Sequence, residues 1–179
     1  MALVVLLRGV NVGGHRTFRP TTLAQQLRHL DAVNIGAAGT FVIRKPVTQS
    51  RLRAEVARRL PFDADVVIFR GQELASLLAQ DYFTDDPVQP DIIRFVSVLA
   101  GRPRLTPSLP MSCPDSGKWV MKILSRKGRF LVGEYRRQMR AISYIGTLDR
   151  LFGVPATTRN WNTMTAVSKV LGDGRLRSA

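Results

Sequence analysis

The chain has 179 residues, 45% of them hydrophobic, enough for one compact domain or two small subdomains sharing a core and too many for a largely disordered protein. The apolar run Leu3 to Leu7 is too short for a secretory leader or a membrane span, and the single cysteine, Cys113, excludes an internal disulfide, so a cytoplasmic protein with no membrane partner is expected. Charge is less ordinary: 27 Lys and Arg face 13 Asp and Glu for a formal net charge of +14, and beyond residue 90 the ratio is 16 basic to 5 acidic.

Leu3 to Leu7, continuous and partly β-branched, reads as a buried strand followed by a long loop, Arg8 to Arg19. Pro20 opens a helix with Leu23, Leu27 and Leu30 on one face. Ala32 to Ala38 and Thr40 to Arg44 read as strands meeting at Gly39. A second helix follows, capped by Thr48 or Ser50 and carrying Leu52, Val56 and Leu60. Ala64 to Phe69 is the next strand and Gln72 to Ala79 a short helix. The order β-α-β-β-α-β is the split βαβ pattern of ferredoxin-like folds.

Asp81 to Pro90, with the Asp85-Asp86 turn pair, reads as a boundary, giving a subdomain over 1–80 and a basic, β-rich one over 91–179. Ile92 to Leu99 is a strong strand, and the four prolines of 101–117 make an irregular crossing. Lys118 to Leu124 and Arg129 to Tyr135 form a hairpin around Ser125-Arg126-Lys127-Gly128. A weak helical segment leads to a last helix, expected to open at Ala156, with Trp161, Met164, Val167 or Ser168, and Leu171 as its buried stripe. Gly172 to Ala179 reads as a frayed basic tail.

Three segments hold residue types suited to anions. In the first loop, Arg8, Asn11, Gly13 and Gly14 lack the spacing of a dinucleotide loop and no Gly-Lys-Ser/Thr follows; the plainer account is a connection that needs left-handed backbone and a side-chain amide. Near the end, Thr157, Thr158 or Asn160 can cap the last helix. Arg159 in its first turn would oppose the helix dipole and so point to an anion, with Asn160 and Asn162 beside it. Around the hairpin, Lys118, Lys122, Arg126, Lys127, Arg129, Arg136, Arg137 and Arg140 mix with Trp119, Phe130 and Tyr135, a composition that suits single-stranded nucleic acid or a solvated basic face. Arginine outnumbers lysine 22 to 5, an imbalance that a GC-rich genome also produces. His15, His29 and Cys113 form no metal-ligand spacing, so no metal or cofactor is expected, and no catalytic residue stands out.

The segments Arg8-Gly9-Val10-Asn11-Val12-Gly13-Gly14 and Thr157-Thr158-Arg159-Asn160-Trp161-Asn162-Thr163 resemble those that open and close members of a bacterial family, domain of unknown function 1697. The resemblance implies an α+β protein with ferredoxin-like topology and a second β-rich half, and no established activity. Many members carry Gln-Ser-Gly-Asn between the second and third strands, where this chain has Ala37-Ala38-Gly39-Thr40. The glycine remains and the polar side chains do not.

The expectation is thus an α+β fold, a ferredoxin-like βαββαβ half followed by a β-rich half with a C-terminal helix. Arg8, Asn11, Gly13, Gly14, Arg159, Asn160 and Asn162 converge on one cationic cleft for nucleic acid or another phosphorylated ligand, with the basic hairpin steering by charge. An enzyme on a phosphorylated small molecule and a protein-interaction module are the alternatives, and the residues leave turnover and any protein partner open.

Overall fold

A computed structural model describes residues 1–11, 14–83 and 89–176, without the side chains of 173–176. The order of elements is β1 (Leu3–Arg8), α1 (Pro20–Gln26), a 3-10 turn at Arg28–Leu30, β2 (Ala32–Asn34), β3 (Thr40–Ile43), α2 (Gln49–Arg59), β4 (Asp65–Arg70), α3 (Gly71–Leu78), β5 (Ile92–Leu99), β6 (Met111–Cys113), β7 (Met121–Lys127), β8 (Phe130–Arg136), α4 (Met139–Gly146), α5 (Leu148–Phe152), β9 (Ala156–Asn160) and α6 (Trp161–Leu176). Helices and two antiparallel sheets make it an α+β protein. It divides into two compact units, residues 1–76 with 163–179 and residues 77–162, so the boundaries fall inside α3 and α6.

In the first unit the sheet order is β2-β3-β1-β4, every neighbour antiparallel. Leu3, Val5 and Leu7 face one core with Phe41, Ile43 and Ile68, closed by Leu23 and Leu27 of the α1 region and Leu52 and Val56 of α2. Val4, Leu6, Val42 and Phe69 on the other face are buried too, which is why the first strand is apolar without alternation. Thr48 caps α2, its Oγ1 accepting the Arg51 N–H at 3.3 Å. Where the sequence assigns the whole last helix to the second half, the division at 162/163 returns most of it to the first unit: Leu171 rests on Gly71, where a Cβ would stand 2.7 Å from Leu171 Cδ2. The tail expected to fray from Gly172 is helical to Leu176.

One buried carboxylate on α2 carries a concentration of charge. Glu55 lies 2.9 Å from Arg59, 3.2 Å from His29 and 3.5 Å from Arg51. Burial pushes its carboxyl up, but Arg59, His29 and Arg51 together hold it below the ordinary value of 4.5. A carboxyl depressed in the fold contributes stability that is full above its unfolded value and is lost as pH falls through its folded one. Acid titration of stability below about pH 4.5 is therefore expected to be steeper for the native chain than for Glu55→Gln, and coincident curves would contradict this.

The second unit holds the sheet β6-β7-β8-β5-β9. One face packs Phe95, Leu99, Met121, Ile123 and Leu131 against Leu148 and Phe152 of α5. Two expectations are corrected. The hairpin turn is shorter and later: β7 runs to Lys127, which pairs with Phe130, leaving only Gly128 and Arg129 in the turn, and a bulge between Ile123 and Ser125 takes up the register. Lys118 accordingly lies before the strand that holds Lys122. Ala156–Asn160 is a strand, not the first turn of a helix. Its β-branched threonines complete the open side of β5, with Leu99↔Ala156, Val98↔Thr157, Ser97↔Thr158, Val96↔Arg159 and Phe95↔Asn160 in register. A 2.6 Å hydrogen bond between the Ser97 and Thr158 hydroxyls fixes that register, and Thr157 is buried.

Candidate functional site

The first expected segment belongs to the first unit, and its polar groups serve the fold. Arg8 pairs with Asp65 at 3.6 Å across β1 and β4. Asn11 sits at φ 54°; its Nδ2 donates to the Ala37 carbonyl and its Oδ1 accepts the Phe18 N–H, both at 2.9 Å. The amide therefore braces the loop against the β2–β3 turn. Gly14 follows at φ 75°, and Gly13 lies outside the described residues, as does the Asp85-Asp86 pair. Asn11→Ala is expected to cost about 2 kcal/mol in chemical denaturation and Asn11→Gly about half of that, because glycine keeps the left-handed backbone and loses only the brace.

Several cations of the second segment are likewise engaged. Arg129 Nε donates to the Leu99 carbonyl at 2.9 Å. Arg136 bonds Asp91 at 2.9 Å and the Trp119 carbonyl at 3.1 Å, and its guanidinium lies 4.2 Å from the centre of the Trp119 ring. Lys122 Nζ lies 4.4 Å from the same ring. Cations already occupy Trp119, so the ring is a poor platform for a base. Lys118, Arg126, Arg137 and Arg140 are exposed, and Lys127 is half-buried.

The third segment builds a pocket. Because β9 ends at Asn160 and α6 begins at Trp161, residues 160–162 pass from strand to helix beside the N-terminal end of β5, where a cavity of about 330 Å³ opens within the second unit. Its buried part is an ion pair across the sheet: Arg94 on β5 faces Glu134 on β8, with Nε 3.2 Å from Oε1. Glu134 is 1% exposed, and Lys122 stands opposite it on the other side. Ile92, Ile93 and Trp161 supply apolar wall, while exposed Gln89, Arg137, Asn160 and Asn162 complete the lining. Trp161 is half-buried and leaves its expected core stripe; Phe83 and Tyr82 hold it edge to face at 5.0 and 6.2 Å, and Arg94 stacks on Phe83 at 4.2 Å. Recognition is the chemistry on offer: donors, acceptors and a fixed aromatic around a paired charge.

Arg159 does not line this pocket. It lies in a strand and not in the first turn of a helix; it shares a face with Val96 and Val132, its NH1 donates to the Thr158 carbonyl at 2.8 Å, and burial pushes its guanidinium down to about 10. Of the expected ligand residues the pocket thus brings together Asn160 and Asn162, and from the basic hairpin set it adds Arg137.

A family model described as protein of unknown function (DUF1697) matches residues 1–107. The chain belongs to this family. The stretch shared with the DUF1697 model includes the Arg8–Gly14 loop and Arg94, while the Thr157–Thr163 segment lies beyond it. The DUF1697 fold also matches the solved structure of the conserved bacterial protein SP0830 from Streptococcus pneumoniae, with a TM-score of 0.60 at 12% identity, covering 95% of this chain and 98% of that one. No curated protein matches the chain in sequence. Among the described residues no helix is long and apolar enough to cross a membrane, and no group of three His, Cys, Asp or Glu is placed to hold a metal ion.

Sequence reasoning missed Arg94 and Glu134 in this DUF1697 chain, although a signal exists. Arg94 is the one charge of β5 and Glu134 the one acidic residue of β8, opposite in sign, and such charges are buried only when paired.

Proposed function

We propose that the chain is a binding module for a phosphorylated ligand, received in the pocket at the N-terminal end of β5. The observation that carries this reading is that Asn160, Trp161 and Asn162, consecutive in the C-terminal segment, line the same pocket as Arg137 and the Arg94–Glu134 pair. Arg137 supplies a positive group at an exposed position, and the amides of Asn160 and Asn162 donate to phosphate oxygens. Opening at this end, α6 adds the partial positive charge of its first turn. The hairpin is less suited to hold a ligand, because Lys122, Arg129 and Arg136 are already used by the fold. Its remaining charge and the net +14 raise the local concentration of anions.

Thermal unfolding against inorganic phosphate, sugar phosphates and nucleoside monophosphates tests this reading. A ligand at a hundred times its Kd stabilises by about 2.7 kcal/mol, several degrees for a chain of this size. Arg137→Ala and Asn162→Ala are expected to weaken the best compound at least about tenfold, whereas Lys118→Ala and Arg126→Ala leave it unchanged. No stabilisation by any phosphorylated compound, or loss that follows Lys118 and Arg126 instead, would contradict it.

A further inference from the structure

We infer that the phosphorylated ligand is a nucleotide whose base enters the pocket and is read by the Arg94–Glu134 pair; this rests on the reading above. A carboxylate is the wrong group to place in a site for phosphate alone, since it repels the anion and costs desolvation. Here Glu134 is buried beneath the cavity with Oε1 3.2 Å from Arg94 Nε, so the half-buried Arg94 guanidinium is the part of the pair that meets a ligand, and Glu134 orients it. A guanidinium donates to the ring and carbonyl acceptors of a base edge, and arginine is among the side chains that distinguish bases.

The remaining lining agrees. Ile92, Ile93 and Trp161 give a planar ring apolar and aromatic contact, and Trp161 is kept in place by Phe83 and Tyr82, so it needs no reordering to receive a base. Exposed Arg137 takes the phosphate. The volume of about 330 Å³ suits a single nucleotide. A sugar phosphate would use Arg137 and leave the paired charges and apolar walls unserved. A free nucleoside would do the reverse.

Calorimetric titration of the full chain with the four nucleoside monophosphates, ribose 5-phosphate and inorganic phosphate tests the inference. The expected result is that the best nucleotide binds at least about tenfold more tightly than ribose 5-phosphate and than the worst of the four nucleotides. Glu134→Gln should reduce the spread among the four bases. Since Glu134 is buried and its variant can fail to fold, exposed Arg137→Ala provides the second arm: it should weaken every phosphorylated compound by a similar factor and keep the order of the bases. Ribose 5-phosphate binding as tightly as the nucleotides, or four equal nucleotides, overturns this inference while leaving the phosphorylated-ligand reading standing. Binding of none of the six compounds overturns both.

Discussion

Gly133→Ala is expected to be among the most damaging single substitutions in the chain. Gly133 lies on β8 between Ile123 of β7 and Phe95 of β5, and a Cβ there would stand 2.2 Å from the Lys122 carbonyl oxygen and 2.6 Å from Phe95 Cζ. The Phe95 ring occupies the space over the glycine and meets Tyr135 with ring centres 5.9 Å apart. One obstacle is a side chain that can turn aside; the other is backbone held in a ladder and cannot. The cost is about 3 kcal/mol, at the upper end for overpacking, or a fall in Tm of about 6–12 °C. Phe95→Leu in the same chain should restore little, because the carbonyl remains. Full recovery in the double variant would show that the ring alone sets the constraint.

Arg94→Met is the second large effect, and it connects stability to the pocket. Removing the guanidinium leaves Glu134, 1% exposed, without its charge-assisted partner on β5. Breaking such a pair from one side costs about 3 kcal/mol, whereas replacing both members with apolar side chains of similar volume is often close to neutral. The expectation is thus non-additive: Arg94→Met severe, Arg94→Met with Glu134→Leu much milder, and a coupling energy of at least about 2 kcal/mol from the cycle. Measured by urea denaturation, additive losses would mean that Glu134 is compensated elsewhere, with Lys122 across the sheet the group to change next. The double variant is also expected to keep the fold and lose base discrimination.

Much of the fold was legible because the decisive cues were local. The apolar run of β1, the leucine spacing after Pro20, the Thr48 cap and the β5 run each lie within a few residues and appear in the structure nearly as read. Ala156–Asn160 was not legible, because threonine and asparagine suit a helix cap and threonine also suits a strand, and only the free side of β5, some sixty residues earlier, decides between them. The same error placed Arg159 in the first turn of a helix, whereas it lies in the strand that precedes one. Part of the site followed from the C-terminal segment itself, since Asn160 and Asn162 do line a pocket. Arg94 and Glu134 lie forty residues apart and become partners only when the β5–β8 register is known. Asn11 shows the reverse: an amide that reads as a ligand donor is occupied by the Ala37 carbonyl and the Phe18 N–H.

The chain has two tryptophans, Trp161 in the pocket wall and Trp119 on the basic hairpin, and their indole N–H signals report separately on the two places an anion could bind. Nitrogen-15 correlation spectra recorded during a nucleotide titration at physiological salt therefore show which of the two places holds the ligand. The Trp161 indole signal is expected to shift saturably while that of Trp119 stays in place, and Arg137→Ala is expected to move the midpoint to higher concentration. A shift of Trp119 with Trp161 unmoved would place the ligand on the hairpin and contradict the account.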